Sequence, residues 1–311
     1  MSFIELPPPP EVTGIQRGAG ETRLRFEDVA EDGRLRLEGV WPAIGPILWG
    51  KMEVANALLR LGARGVRAVL TYVALEGGEE PVSVRAPCSQ EVRWSLGRNV
   101  DEQGNTSRIL FDTWLSSTAP RGAPRNPGLD PVSDERVLVA RAYGQHVFTR
   151  PAASAGAHRV TEIADPLLDG LALEPSELRD FRRLLALPSG ARALEERPRP
   201  DPSPTVFGLC HTDGNQHVNF LSYPRLAEEA ALRRFAELGI DPRRLARRAE
   251  VSYRRPCFAG DVVDLFLQTF ERDGEVGVVA AFVPRAGQQP STPTSLEEIE
   301  RPACVARIGF R

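Results

Sequence analysis

Apolar positions recur at helical spacing in two places, and each is followed by runs that alternate or cluster as strands do. Over residues 46–61, Leu48, Met52, Ala55, Leu58 and Leu59 fall on one helical face, and Gly62 follows as a stop. Strand-like runs come next at 66–75, 82–96, 109–116 and 137–148, with a loop rich in Pro, Gly and Asn at 118–131. Tyr223, Ala227, Ala230, Ala231, Phe235 and Leu238 form the second apolar stripe. Ser222 is the expected cap of that helix, Pro224 suits its first turn, and Gly239 ends it. Strand-like runs return at 249–253, 262–272, 276–283 and 303–310, and Ser295 and Glu298 are spaced as a capping box.

The two halves also repeat in detail. Residues 82–88 read VSVRAPC and 251–257 read VSYRRPC, five of seven identical at an offset of 169 (251 minus 82). Val139-Ala140-Arg141 matches Val305-Ala306-Arg307 at an offset of 166 (305 minus 139). The pattern predicts an α+β chain made of a duplicated unit, one helix followed by about four antiparallel strands. Each sheet is expected to wrap around a long helix, and the two units to pair edge to edge so that two exposed edges disappear. The expected organisation is a loose Pro- and Gly-rich arm at 1–20, a first unit at 21–150, a connection at 151–204 and a second unit at 205–311. Within the connection, Leu178, Phe181, Leu184 and Leu185 predict one short helix between Pro175 and Pro188.

Composition narrows the class of function. The 311 residues carry a formal net charge of -3, so no overall basic field draws the chain to nucleic acid or an anionic membrane. No run of about 18 apolar residues offers a membrane span, and the N-terminus lacks the basic and apolar regions of a secretory signal. The four cysteines, Cys88, Cys210, Cys257 and Cys304, form no C-x-x-C pair, and reduced thiols in a cytoplasmic protein are expected.

The segment from His211 to Phe220 concentrates the chemistry. It holds two of the four histidines of the chain, in a Gly-containing turn just before the second helix. Asp213, Asn215 and His217 alternate, so an extended segment presents them on one side. A carboxylate, a carboxamide and an imidazole at a helix N-terminus suit water attack on an activated carbonyl, one accepting a proton and donors holding the oxyanion. Two other readings stay open: Asx residues that merely tie off a loop, and a zinc site at His211, Asp213 and His217 that lacks a fourth ligand at familiar spacing. No metal and no cofactor are expected.

The run Asp213-Gly214-Asn215-Gln216-His217-Val218-Asn219, followed by Tyr223, resembles the D-x-N-x-H-V-N…Y signature of hotdog-fold thioesterases, most closely the acyl-ACP thioesterases of plants and bacteria. Residues 253–257, Tyr-Arg-Arg-Pro-Cys, resemble their Y-R-R-E-C run. The resemblance implies a tandem (double) hotdog with catalysis in the second unit, and Asp213, Asn215 and His217 as catalytic residues. It implies substrate contacts from Asn219 and Tyr223, and acyl-ACP or acyl-CoA as the partner. Cys257 falls on a cysteine once proposed as nucleophile in that family, whereas Pro256 replaces a glutamate implicated in water activation and cannot accept a proton.

The equivalent point of the first half, 41–50, offers no acid, amide or imidazole. Its apolar Trp41, Ile44, Trp49 and Met52 are expected to line an acyl pocket, with the chain lying in a cleft between the halves. His146 and His158 are expected to be structural or exposed. The leading expectation is an acyl thioesterase. Its rivals are a non-hydrolytic acyl-binding scaffold and a hotdog dehydratase, and a homodimer is left open.

Overall fold

The computed structural model describes residues 6–12, 14–40, 44–123, 133–154, 156–285 and 293–311. These fall into two compact units, 6–179 and 180–311, so the boundary lies inside the expected connection.

In the first unit, β1 (Arg17–Thr22), β2 (Arg67–Gly77), β3 (Cys88–Val100), β4 (Thr106–Pro120) and β5 (Arg136–Thr149) form an antiparallel sheet in the order β1-β3-β4-β5-β2. A short parallel strand, β6 (Leu173–Pro175), adds to β3. Two expectations are corrected here. Part of the loose arm is strand β1, and the arm is pinned by side chains: the Trp114 indole N–H donates to the Pro7 carbonyl (3.0 Å) and the Trp94 indole to that of Ile15 (3.0 Å). The single helix expected at 46–61 is two, α1 (Ile44–Leu48) and α2 (Val54–Ala63). Lys51 and Met52 both donate their N–H to Ile47, which unwinds the helix around Gly50. A Cβ at Gly50 would stand 2.6 Å from the Pro46 carbonyl oxygen, a close approach open to glycine alone. Gly18 and Gly20, on one face of β1, make a similar seat, because Met52 and Ile47 fill the space their side chains would take.

The second unit contains a one-turn α3 (Arg182–Leu185), where the sequence pattern predicted a longer helix from Leu178. Short β7 (Arg192–Ala193), β8 (Arg199–Pro200) and β9 (Thr205–Val206) follow, then α4 (Ser222–Glu237). The strands β10 (Ala246–Tyr253), β11 (Val262–Arg272), β12 (Glu275–Pro284) and β13 (Cys304–Phe310) complete it. They are antiparallel in the order β10-β13-β12-β11, and β7, β8 and β9 pair with the free edge of β11. This matches β2-β5-β4-β3 strand for strand. The repeated Val-Ala-Arg accordingly lies on β5 and on β13, the last long strand of each unit.

Helix α4 buries Tyr223, Ala227, Ala230, Ala231 and Phe235 of the expected stripe, while Leu238 lies just past its end and is half-buried, and Gly239 follows with a φ of +70°. Phe235 meets Phe310 edge to face (4.9 Å between centroids), which assigns that face of β13 to the helix. Alternation along the strand puts Cys304, Ala306 and Ile308 there too. Alanines on both helix and sheet let the backbones approach closely. The opposite face of β13 holds α3: the buried Arg307 donates to the carbonyls of Arg183 (2.6 Å) and Ala186 (2.8 Å) and pairs with Glu250 (3.2 Å). No described helix is long and apolar enough to cross a membrane. All four cysteines are free thiols.

Candidate active site

The residues singled out between His211 and Asn219 form a closed turn ahead of α4. Asp213 N–H donates to the His217 carbonyl (3.2 Å) and Gln216 N–H to the Asp213 carbonyl (2.9 Å), while Thr212 and Val218 pair as an isolated bridge. Gln216 closes the turn in the left-handed region, at a φ of +64°. Two anchors hold the loop: Asn219 N–H donates to the His211 carbonyl (2.8 Å) and Val218 N–H to the Cys257 carbonyl (2.8 Å).

Asp213 is occupied. One carboxylate oxygen accepts the Asn215 N–H (2.8 Å) and the other the Asn219 side-chain amide (3.0 Å). Asn219 is occupied as well, since its side-chain oxygen accepts the Leu221 N–H (2.9 Å) ahead of α4. That corrects the expected cap. Ser222 is the first helical residue, and its hydroxyl donates to the His211 carbonyl instead (3.1 Å). The helix entry thus lies one residue earlier than the sequence suggests, because 220 and 221 already turn.

The two histidines are fixed in opposite states. His211 Nδ1 accepts the Gly208 N–H (2.9 Å), so in the neutral ring the proton sits on Nε2. His217 Nδ1 lies 3.2 Å from the Val218 carbonyl, which can only accept, so in the neutral ring the proton sits on Nδ1, and Nε2 has no hydrogen-bond partner among the described residues. His217 is half-buried. Asn215 is exposed, and its carboxamide makes no hydrogen bond among the described residues.

Tyr223 belongs to the core. It is 3% exposed, and its ring packs edge-on against Phe282 (5.2 Å), Phe207 (5.6 Å) and Tyr253 (5.7 Å). Burial first, then the Cys257 thiol, pushes its hydroxyl well above the usual phenol range. Tyr253, in the sequence only one member of the 253–257 run, donates its hydroxyl to the Phe220 carbonyl (3.0 Å) and so fixes the turn before α4. Its hydroxylated ring in a strand followed by two arginines gave no sign of that role.

Cys257 is buried and its thiol is pushed up, chiefly by desolvation. Cys88, its counterpart in the repeat, is pushed to about 11 for the same leading reason. Neither has the depressed pKa a nucleophile needs. Pro256 is exposed. Of the first-half candidates, Trp49 is 48% exposed and Met52 is buried under Gly18; Trp41 lies outside the described residues. His146 is buried with Nδ1 3.2 Å from the Phe111 carbonyl. No cluster of three His, Cys, Asp or Glu suited to a metal ion occurs among the described residues.

No protein-family model matches the chain, and no curated protein matches it. Solved structures do. A protein assigned as an oleoyl thioesterase from Lactobacillus plantarum is 14% identical, with 95% of this chain and 96% of that chain covered at a TM-score of 0.57. The 12:0-ACP thioesterase from Umbellularia californica is also 14% identical, with 96% and 98% covered at a TM-score of 0.53. The chain has the hotdog fold. The likeness extends over both units. At this identity the likeness is one of fold, and the chemistry has to be argued from the turn itself.

Proposed function

We propose that the chain hydrolyses an acyl thioester, acyl-ACP or acyl-CoA, by direct attack of water, without metal or cofactor. The two units are then tandem hotdogs of which only the second carries chemistry, and the enzyme works in the cytoplasm. The observation that carries the proposal is a division of labour in one turn. Asp213 and Asn219 are consumed in holding the loop, and this leaves the Asn215 carboxamide and His217 Nε2 unengaged at the start of α4.

His217 Nε2 takes a proton from water as the hydroxide adds to the thioester carbonyl carbon. Asn215 donates to the oxyanion, and the N-terminal end of the 16-residue α4 favours the same negative charge. The intermediate collapses with cleavage of the carbon–sulfur bond, and the leaving thiolate takes the proton from His217. Asp213 is a positioning residue in this scheme, and the base is His217. Pro256 leaves no carboxylate at its position, which is why the base has to come from the turn.

Pro256 also favours the second reading, a scaffold that binds acyl thioesters and releases nothing. A panel of acyl-CoA and acyl-ACP thioesters, followed by release of free thiol, separates the two. Stoichiometric thiol and free acid support the hydrolase. Saturable binding with no thiol released supports the scaffold.

A further inference from the structure

The second unit leaves three large apolar side chains exposed among its described residues: Val206 at 58%, Leu209 at 82% and Phe258 at 50%. They are gathered in one place. β9, which carries Val206, pairs with Val262 and Val263 of β11. Phe207 N–H donates to the Asp261 carbonyl (2.9 Å) and Gly260 N–H to that of Phe207 (2.7 Å), so the stretches 205–211 and 257–263 run side by side. The Asp261 carboxylate folds the turn under Phe258 by accepting its N–H (2.9 Å). Both stretches border the candidate site, one through His211 and the other through Cys257, the two backbone anchors of the Asn215–His217 turn. Exposed apolar side chains gathered at one spot mark a surface that something covers.

An unpaired cation stands at the same place. Arg255 is exposed, and its guanidinium has no ion pair or hydrogen bond among the described residues. Its charge reaches the Cys257 thiol, as does the larger opposing charge of Asp261, whose carboxylate is turned to the Phe258 N–H. Arg254 beside it is already used, stacked over the Phe181 ring at 4.4 Å. A self-complementary contact between two copies would bring together two Arg255 groups, neither held in an ion pair among the described residues. An acyl chain would leave the charge unanswered. A ligand that is amphipathic along its length and anionic at its end answers both features.

We propose that this lip receives the phosphopantetheine arm common to acyl-CoA and acyl-ACP, with the arm across Leu209 and Phe258 and its phosphate at Arg255. The proposal takes the thioester class from the proposed function and adds where the carrier end of the substrate lies.

The test is calorimetric binding of 4′-phosphopantetheine and of unphosphorylated pantetheine to the full chain, which needs no turnover. The wild type is expected to bind the phosphorylated form about tenfold more tightly. Arg255→Gln should abolish that difference and leave pantetheine affinity unchanged. Leu209→Ser with Phe258→Ser should weaken both ligands about tenfold. Equal affinity for the two ligands, no binding of either, or an unchanged Arg255→Gln would overturn the proposal. So would a Leu209/Phe258 variant that binds normally but turns a dimer into a monomer in light scattering, since the patch would then be a contact between copies. A chain that binds the arm yet never releases acid would defeat the hydrolase reading and leave this one standing.

Discussion

His211 and His217 show how a backbone decides what a side chain can do. The first spends Nδ1 on a Gly208 N–H and is part of a turn, while the second keeps Nε2 free because its Nδ1 faces a carbonyl. Between them Gln216 holds a positive φ, a conformation worth roughly 1 kcal/mol of strain for a side-chain-bearing residue. Gln216→Gly should therefore keep or slightly raise thermal stability and retain turnover. Gln216→Val, whose branched carbon resists that region, should lose about 1–2 kcal/mol and most of its kcat, as read by denaturation and thiol release. Cys257 gives the opposite kind of prediction. Its buried, high-pKa thiol has no chemistry to lose, so Cys257→Ala should cost about 1 kcal/mol of stability with kcat unchanged. A loss of turnover without loss of fold would revive the nucleophile.

At the scale of elements, long periodic segments were legible and short ones were not. The α4 stripe and the run of β11 stood in the sequence as they stand in the structure, because sixteen and eleven residues of consistent burial outweigh local accidents. At 46–61 the apolar spacing continues across Gly50 and so predicts one helix, where the chain instead unwinds to pass close to Pro46. The capping box at 295–298 came out one residue off. Ser295 accepts the N–H of Glu297 (3.2 Å) rather than that of Glu298, while the Glu298 carboxylate reaches back to the Thr294 N–H (2.9 Å) and, more weakly, to that of Ser295. The types in the turn were legible, whereas their partners were not. Nothing in the spacing of Asp213 and Asn219 told that they would bond each other and leave Asn215 and His217 free. The long connection was expected to pack on the units, and the reason it does is tertiary. Gln145 on β5 brackets it, donating to the Glu177 carbonyl (3.1 Å) and accepting the Arg179 N–H (2.9 Å). On the other unit Arg307 holds the carbonyls of α3. Arg307→Met should free those carbonyls, remove the pair with Glu250 and cost about 2–4 kcal/mol in urea unfolding, with the strand order intact. A loss below about 0.5 kcal/mol would mean that α3 is held by Phe181, Leu184 and Leu185 alone.

For the whole molecule, buried titratable groups link stability to pH. Burial lowers His146 from 6.5 to about 4, so the folded chain resists a proton that the unfolded chain accepts. Stability from this residue is full above pH 6.5 and falls as the pH drops toward 4, by up to about 3 kcal/mol. Asp112 works the other way. Burial raises its carboxyl despite the Tyr143 hydroxyl (2.9 Å) and Ser176 hydroxyl (3.0 Å) that donate to it. Its cost is felt above the usual carboxylate pKa and disappears in acid. His146→Gln should flatten the acid limb of a stability–pH profile between 6.5 and 4, and a profile identical to wild type would show that His146 is not the residue responsible.

The account rests on the Asn215–His217 turn acting on a thioester. Its most direct test is kcat/KM for release of thiol from one acyl-CoA or acyl-ACP that the wild type hydrolyses, compared with His217→Ala and Asn215→Ala at matched melting temperature. The account predicts a fall of about 10²- to 10³-fold or more in each, carried by kcat. Two folded variants that turn over at the wild-type rate would contradict it.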